Sequence, residues 1–332
     1  MLGAAVLVAL LVAGCGDGDG QSTLSGHSRQ SKDIAALWWA MLGIAAVVFG
    51  GAVVMLWIGY ARRRRRGVPI IGENEPAIQK LVVVFGVAVP IVVLVGLFVV
   101  ANFAVIAVTR APAKGSTAMT IEVVGHQWFW EVRYPGARPQ AVTANEIHIP
   151  DRTRVNLVAT TADVIHSFWV PELNRKIDMI PDRSNRILLY ADRDGTFRGQ
   201  CAEFCGLQHA HMAMKVVAEP RARFDAWLKA QAAPRRAPAT PAAQRGEQVF
   251  LANACASCHQ IRGTSARGQI GPDLTHLASR STLAALTIPN NKTELARWVR
   301  DPQHVKPGNK MPALRLADKD YNSLVAYLES LR

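Results

Sequence analysis

The sequence predicts a multidomain membrane protein: a two-helix transmembrane hairpin, then an all-β sandwich, then a small all-α domain. Three observations predict it. Two long uncharged apolar runs occupy the first third of the chain. Short β-branched or alternating runs bounded by Gly, Pro, Asp or Asn follow, without helices between them. After an Ala/Pro-rich break, the last stretch places apolar residues at helical spacing, with Leu324, Tyr327, Leu328 and Leu331 on one face. At 332 residues there is room for several domains.

The N-terminus, "MLGAAVLVALLVAGC" (residues 1–15), resembles a bacterial lipoprotein signal in which Cys15 is lipidated. No Lys or Arg precedes its apolar core, so an ordinary signal peptide or a misjudged start is the alternative. Residues 16–33 read as a flexible exported spacer. The segment 34–110 holds two transmembrane helices, about 34–60 and 81–108. Ile34 to Tyr60 is uncharged and would be about 40 Å long as a helix, enough to cross roughly 30 Å of hydrocarbon with tilt. Trp38, Trp39, Trp57 and Tyr60 lie near its ends, where aromatic rings favour the membrane interface. The second span contains Pro90, which packed membrane helices tolerate. Arg62 to Arg66 between the spans puts that loop in the cytoplasm by the positive-inside rule. Both termini then lie outside, and everything after residue 110 is on the periplasmic or outer side of a plasma membrane crossed twice. The net charge of +13 is scattered, with no basic stripe interleaved with aromatics, which argues against nucleic acid as a partner.

Residues 115–220 form the β domain, and "CAEFCGLQHAHM" (201–212) falls between two of its strands. Soft thiolates and a thioether select copper over hard cations, and imidazole suits it as well. The candidates are Cys201, Cys205, His209 and Met212, with His166 from the earlier "VIHSFWVPEL". One cysteine, two histidines and a methionine would make a mononuclear blue-copper site. The second cysteine exceeds that need, whereas two thiolates bridging two coppers would use every ligand. A disulfide or thiol-exchange pair, as in copper chaperones with a C-x3-C motif, is the other reading, although the segment lacks a βαβ pattern. His126 and His148 read as hydrogen-bonded structural groups, and His211 and Met214 as packing residues or supports of the site.

The pattern C-x-E-x-C-x3-H-x2-M, with "IHSFWVPEL" and "KIDMIPDRSN" upstream, closely resembles subunit II of the haem–copper cytochrome c oxidases. The resemblance implies a cupredoxin-like domain holding a binuclear CuA centre behind two transmembrane helices. It implies His166, Cys201, Cys205, His209 and Met212 as side-chain copper ligands and the Glu203 carbonyl as a further one. The Glu203 carboxylate would bind a magnesium ion shared with subunit I. "GHQWFWEVRYP" matches the family's aromatic stretch, which makes Trp128 the residue through which electrons reach copper, with Phe129 and Trp130 beside it. The second span lacks the family's usual glutamate at the mouth of a proton channel; Glu73 or Glu75 is the available substitute.

"AQAAPRRAPATPAAQ" (230–244) reads as a semi-stiff Ala/Pro-rich linker. Beyond it, in 245–332, "CASCH" is the c-type haem signature. Cys255 and Cys258 would bond the haem and His259 would ligate its iron. A zinc site would need a matching second pair of ligands, and His276 and His304 each stand alone. The whole stretch resembles a class I cytochrome c domain. That resemblance implies Met311 of "KPGNKMPAL" as the second iron ligand, the Pro272 carbonyl as partner of His259, Trp298 near a haem propionate, and Gly246 and Phe250 packed on the last helix. Met/His ligation would raise the haem potential, as suits a carrier feeding an oxidase.

Together these readings imply a subunit of cytochrome c oxidase that relays electrons from an external donor, such as a cytochrome c or a bc1-type complex, through haem c and CuA to oxidase subunit I. Subunit III would be a further partner. Oxygen reduction and proton pumping would belong to the complex, since neither apolar span carries a histidine to hold a haem. The rivals are the relay subunit of another reductase, such as one for nitric oxide, and a copper-delivery thiol-redox protein.

Overall fold

The computed structural model describes residues 20–66, 75–113 and 115–332. It divides into a helical hairpin, Arg29–Arg110, and a second unit that holds the sandwich and the C-terminal domain. Cys15 and Glu73 lie outside the described residues.

The hairpin's first helix, α1, runs Arg29–Arg66, and its second apolar span, α2, runs Gln79–Thr109. Gln30 Nε2 donates to Val108 O at 3.3 Å, which ties the start of α1 to the end of α2. Val47 is 75% exposed and Phe103 78% exposed. Large apolar side chains that face outward along both helices need a hydrocarbon environment, which makes this the membrane anchor. A π-helical segment, Val84–Ala88, lies just before Pro90. Proline lacks an N–H and its ring crowds the carbonyl four residues back, and a widened turn accommodates both. A second π segment follows at Ala101–Ile106, where Asn102 Nδ2 donates to Phe98 O at 2.8 Å.

The β domain is a sandwich of two five-stranded sheets. With β3 at Ala141–Ala144, β7 at Ile177–Met179 and β8 at Asn185–Leu189, one has the order β3-β2-β1-β5-β8 and the other β4-β10-β9-β6-β7. The strands that matter for the site are β1 (Met119–His126), β2 (Phe129–Tyr134), β6 (His166–Trp169), β9 (Gly195–Cys201) and β10 (Ala213–Glu219). β1 pairs antiparallel with β2 and parallel with β5 (Val155–Thr161), so the sheet is mixed. Alternate residues face inward, and Ile121, Val123, Trp130, Leu157, Phe168, Phe197 and Val216 fill the core.

Two stretches differ from their sequence reading. The supposed flexible spacer is, from residue 20 onward, laid along the sandwich. Arg198 N donates to Gly20 O at 3.2 Å, His27 N to Glu172 O at 2.7 Å, and Asp192 N to His27 O at 2.8 Å. The first helix then starts at Arg29, ahead of Ile34. A Gly/Ser-rich composition hides such a strap because several of the contacts that seat it are made by the main chain. The second stretch is the linker: helix α3 (Arg221–Ala232) carries into it and α4 (Pro241–Ala252) begins inside it. α3 belongs to the sandwich, since Trp227 stacks on His148 at 3.9 Å and meets the Tyr134 ring at 5.2 Å. Only residues 233–240 connect the helices, and they are held: His276 Nε2 donates to Ala233 O at 2.9 Å and Arg235 pairs with Glu247.

The C-terminal domain is helical. α4 crosses the last helix, α8 (Asp318–Ser330), at Gly246, where a Cβ would lie 1.9 Å from Ser323 O. Phe250 and Tyr327 pack ring to ring at 5.9 Å across the same crossing. Between them lie α5 (Cys255–Cys258), α6 (Lys292–Arg300) and α7 (Pro302–Val305).

Sandwich and helical domain touch through buried polar groups. Glu146, at the start of β4 (Glu146–Pro150), accepts from Ser281 N at 2.9 Å and Ser281 Oγ at 3.0 Å and pairs with Lys215 at 3.0 Å. Burial alone would raise its pKa, but His148, Lys215 and Ser281 hold it down at about 2. A carboxyl depressed in this way stabilises the folded chain fully above its ordinary 4.5 and loses that contribution as the pH falls towards 2. The difference is worth about 3 kcal/mol. Glu146→Gln should therefore flatten the loss of stability between pH 4.5 and 2, read by urea unfolding of the full chain in detergent. An acid profile identical to wild type would show that Glu146 does not carry it.

Candidate metal and haem sites

The loop between β9 and β10 is fixed at both ends before any ligand is considered. Cys201 is the last residue of β9, pairs with Phe168 of β6, and donates its N–H to Met212 O at 2.9 Å. Ala202 N donates to Ser167 O at 3.0 Å, and the turn His209–His211 closes the loop. His166 opens β6 on the neighbouring strand. Its imidazole fits because β1 has Gly125 opposite, where a Cβ would come within 2.7 Å of the ring.

These constraints bring the sequence-derived ligands together. Cys201 Sγ and Cys205 Sγ are 3.8 Å apart, far beyond a disulfide bond of about 2.05 Å. His166 Nδ1 lies 3.9 Å and Glu203 O 3.2 Å from Cys201 Sγ. His209 Nδ1 lies 3.6 Å and Met212 Sδ 3.8 Å from Cys205 Sγ. His166, Cys201, Cys205 and Met212 are all buried. His166, Cys201 and Cys205 are, among the described residues, the three-residue group of His, Cys or acidic donors close enough to share an ion. A hydrogen bond from Cys205, with help from His166, pulls the Cys201 pKa well down against the effect of burial. Cys205 is correspondingly pushed up by its thiolate neighbour and by burial. Two thiols, two imidazoles, a thioether and a carbonyl in a largely buried pocket are a donor set suited to copper.

Asp163 was not singled out by sequence reasoning, and the structure makes it central. Its carboxylate takes His166 Nε2 at 2.9 Å, Gln127 N at 2.8 Å and Val164 N at 2.8 Å, and pairs with Lys310 at 3.5 Å. Burial opposes ionisation, yet His166 and these backbone donors hold its pKa well below the carboxylate range. A carboxylate on the far nitrogen of an imidazole fixes ring orientation and leaves the other nitrogen as the ligand atom. The acidic residue three positions before the histidine was the available signal.

Trp128 lies against the thiol loop. Its indole Nε1 donates to Cys205 O at 3.0 Å, beside Gln127 Nε2 at 2.8 Å. Phe129 and Trp130 are buried; Phe129 stacks on His126 at 4.5 Å and Trp130 Nε1 reaches Met212 O at 3.3 Å. His148 accepts its structural role, 2.9 Å from Glu219, and His211 Nδ1 meets Gln208 Oε1 at 2.8 Å. The Glu203 side chain is exposed.

The C-terminal domain has a cleft of about 1360 Å³, the open space at its mouth included. Cys255, Cys258, His259 and Met311 line it, together with Trp298 and Pro272. His259 Nδ1 donates to Pro272 O at 2.8 Å, which leaves Nε2 for a metal. Burial lowers the His259 pKa and favours the neutral ring a metal needs. Both cysteines are free thiols. Met311 is set by Asn309 Oδ1, which accepts its N–H at 2.7 Å. A large cleft with two thiols, a neutral imidazole and a thioether on its walls fits a covalently held haem. His276 is committed to Ala233 O and His304 is exposed, so neither joins the thiols. Gln127, Trp128 and Phe129 of the sandwich also line the cleft.

Fold and sites define a membrane-anchored cupredoxin-type copper protein with a fused c-type haem domain. Residues 135–219 match the family described as cytochrome c oxidase subunit II, periplasmic domain, and residues 243–332 match cytochrome c. The chain belongs to the cytochrome c oxidase subunit II family. It is 39% identical over 223 residues to cytochrome c oxidase subunit 2 of Alkalihalophilus pseudofirmus, a match covering 67% of this chain and 64% of that one. It is 28% identical over 347 residues to its counterpart in Bacillus subtilis, covering 98% and 96%. The crystal structure of the periplasmic domain of subunit II from Bradyrhizobium japonicum is 30% identical, covers 36% of this chain and 96% of that one, and has a TM-score of 0.34.

Asp163→Asn should lower copper affinity by about 10- to 100-fold, measured by competition with a chelator, while circular dichroism shows the sandwich intact. Unchanged affinity would mean that His166 is held by packing alone.

Proposed function

We propose that the chain is the electron-relay subunit of a respiratory terminal oxidase. His166, Cys201, Cys205, His209, Met212 and the Glu203 carbonyl would hold a two-copper CuA centre; Cys255 and Cys258 would bond haem c, with His259 and Met311 on its iron. When bound, the two groups supply one-electron carriers through which electrons from an external donor pass to oxidase subunit I. The observation that carries the reading is the unbonded thiol pair, 3.8 Å apart, with four further soft or carbonyl donors gathered on it. A chaperone or thiol-exchange pair has no use for the methionine and second histidine at its back.

The chain's own residues do the positioning. Asp163 orients His166, and the buried faces of Met212 and Trp130 exclude water from the sulfurs. Pro272 holds the ring of His259, and Asn309 holds Met311. Trp128 bridges the two sites, lining the haem cleft while its indole binds the Cys205 carbonyl. The exposed Glu203 carboxylate is free to face a magnesium ion at the contact with subunit I. Phe204 (75% exposed) and Leu207 (79% exposed) beside it supply apolar surface for that subunit. Subunit III and a cytochrome c or bc1-type donor complete the partners. By the positive-inside rule the arginines that end α1 support a cytoplasmic loop between the spans, with both redox domains outside the inner membrane.

Metal analysis and optical spectra of the purified complex test this. Wild type should carry two coppers and one haem c per chain, with a purple copper band. Cys205→Ser should retain the haem and at most one copper, without that band. Two coppers with an unaltered spectrum in the variant would refute the assignment.

A further inference from the structure

Lys306 is the one cation of the helical domain whose head group is inserted into the copper loop's backbone. It is 3% exposed. Its Nζ donates to Trp128 O at 2.9 Å, His211 O at 2.8 Å and Ala284 O at 3.3 Å. An ammonium has three donors, and all three are met by carbonyls rather than by a carboxylate. Burying a cation costs several kcal/mol unless its hydrogen bonds are satisfied, so a residue needed only to fill this space would be apolar.

The three carbonyls sit at chosen places. Trp128 hangs on Cys205 through its indole, and His211 lies in the short turn between His209 and Met212. Ala284 belongs to the helical domain and opens a run of left-handed residues, Ala284, Ala285 and Leu286, with φ of 52°, 57° and 64°. Non-glycine residues in that region cost roughly 1–2 kcal/mol each, and the turn delivers its carbonyl to the same ammonium. From Lys306 the chain leads directly to the iron-facing methionine. Asn309 Nδ2 donates to Lys306 O at 2.7 Å while Asn309 Oδ1 accepts from Met311 N at 2.7 Å.

We propose that Lys306 is a positioning residue for electron transfer between the two sites. Its ammonium pins the Met311 loop to the Trp128 and His211 carbonyls beside Cys205 and fixes one separation between donor and acceptor. The inference rests on the function proposed above. In the step it serves, one electron leaves the haem iron and one is gained at the copper pair; Lys306 is not itself a redox group.

The test uses the full chain in detergent with both groups bound. Lys306→Met keeps the stem and removes the donors. It should leave both optical spectra unchanged and slow transfer after flash reduction of the haem by about tenfold or more, the usual penalty of a misplaced reacting pair. A second pair of substitutions reads geometry directly. A Cβ at Gly308 would lie 3.6 Å from Leu207 Cβ, within the range of about 3.5–4.5 Å that a disulfide spans, and the Leu207 methyl that would crowd it is removed by the cysteine. Leu207→Cys with Gly308→Cys should cross-link readily when Lys306 is present and several-fold more slowly in the Lys306→Met background. Once formed there, the bridge should restore the wild-type rate. If Lys306→Met alone fails to load, the bridged variant carries the comparison, with its rate measured before and after the bridge is reduced. An unchanged rate in Lys306→Met, or a slowed rate that bridging leaves slow, overturns the positioning role. A wild-type chain without a two-copper spectrum, or without transfer between its centres, overturns instead the function on which the role rests.

Discussion

Two thiols held 3.8 Å apart without bonding are the constraint on which the rest of the molecule depends. Left to a flexible loop, such a pair would oxidise or separate. Here strand register places Cys201, because β9 pairs with β6 and returns as β10. Cys205 is placed by the two donors on its carbonyl, both from the β1–β2 turn. One slip of register would turn His166 away from the core and undo the cluster, since side chains alternate strictly along a strand. Gly125 shows how far the surrounding sheet is shaped to the site, with no side chain where the imidazole lies. The large apolar core is therefore the frame that keeps soft donors close and dry.

Much of this was legible because the ligands are local in sequence. Cys201, Cys205, His209 and Met212 share one loop, and Cys255, Cys258 and His259 share one turn, so their spacing marks them as candidate ligands and carries the family resemblance. Apolar runs announced the hairpin, and alternation announced the strands, because both patterns follow from burial on one face or on all. Asp163 carried only its spacing to His166 as a signal, and Lys306 carried none. An aspartate in a loop and a lysine after a short helix look ordinary until the fold brings Gln127 and His166 to the first, and Trp128 and His211 to the second. The spacer and the linker were misread for a related reason. Composition reports what side chains prefer, whereas residues 20–28 and 233–240 are held chiefly by main-chain groups and by partners distant in sequence.

That same distinction governs the boundary between the sandwich and the helical domain. A short tether by itself supplies an effective concentration in the mM range and leaves orientation free. The boundary here is made of buried charges, many of them bonded to backbone. Lys306 takes Trp128 O and His211 O, Arg262 takes Gln140 O and Ala232 O, and Glu146 takes Ser281 N. Such contacts read the path of the main chain, so they specify one docked geometry more strictly than apolar contact would. Their net stabilisation is modest because each charge must give up its water, and their value lies in specificity. For the relay proposed here, in which donor and acceptor would share one chain, that is the useful balance. The partners need never part, so affinity gains nothing, whereas a fixed separation makes every transfer alike.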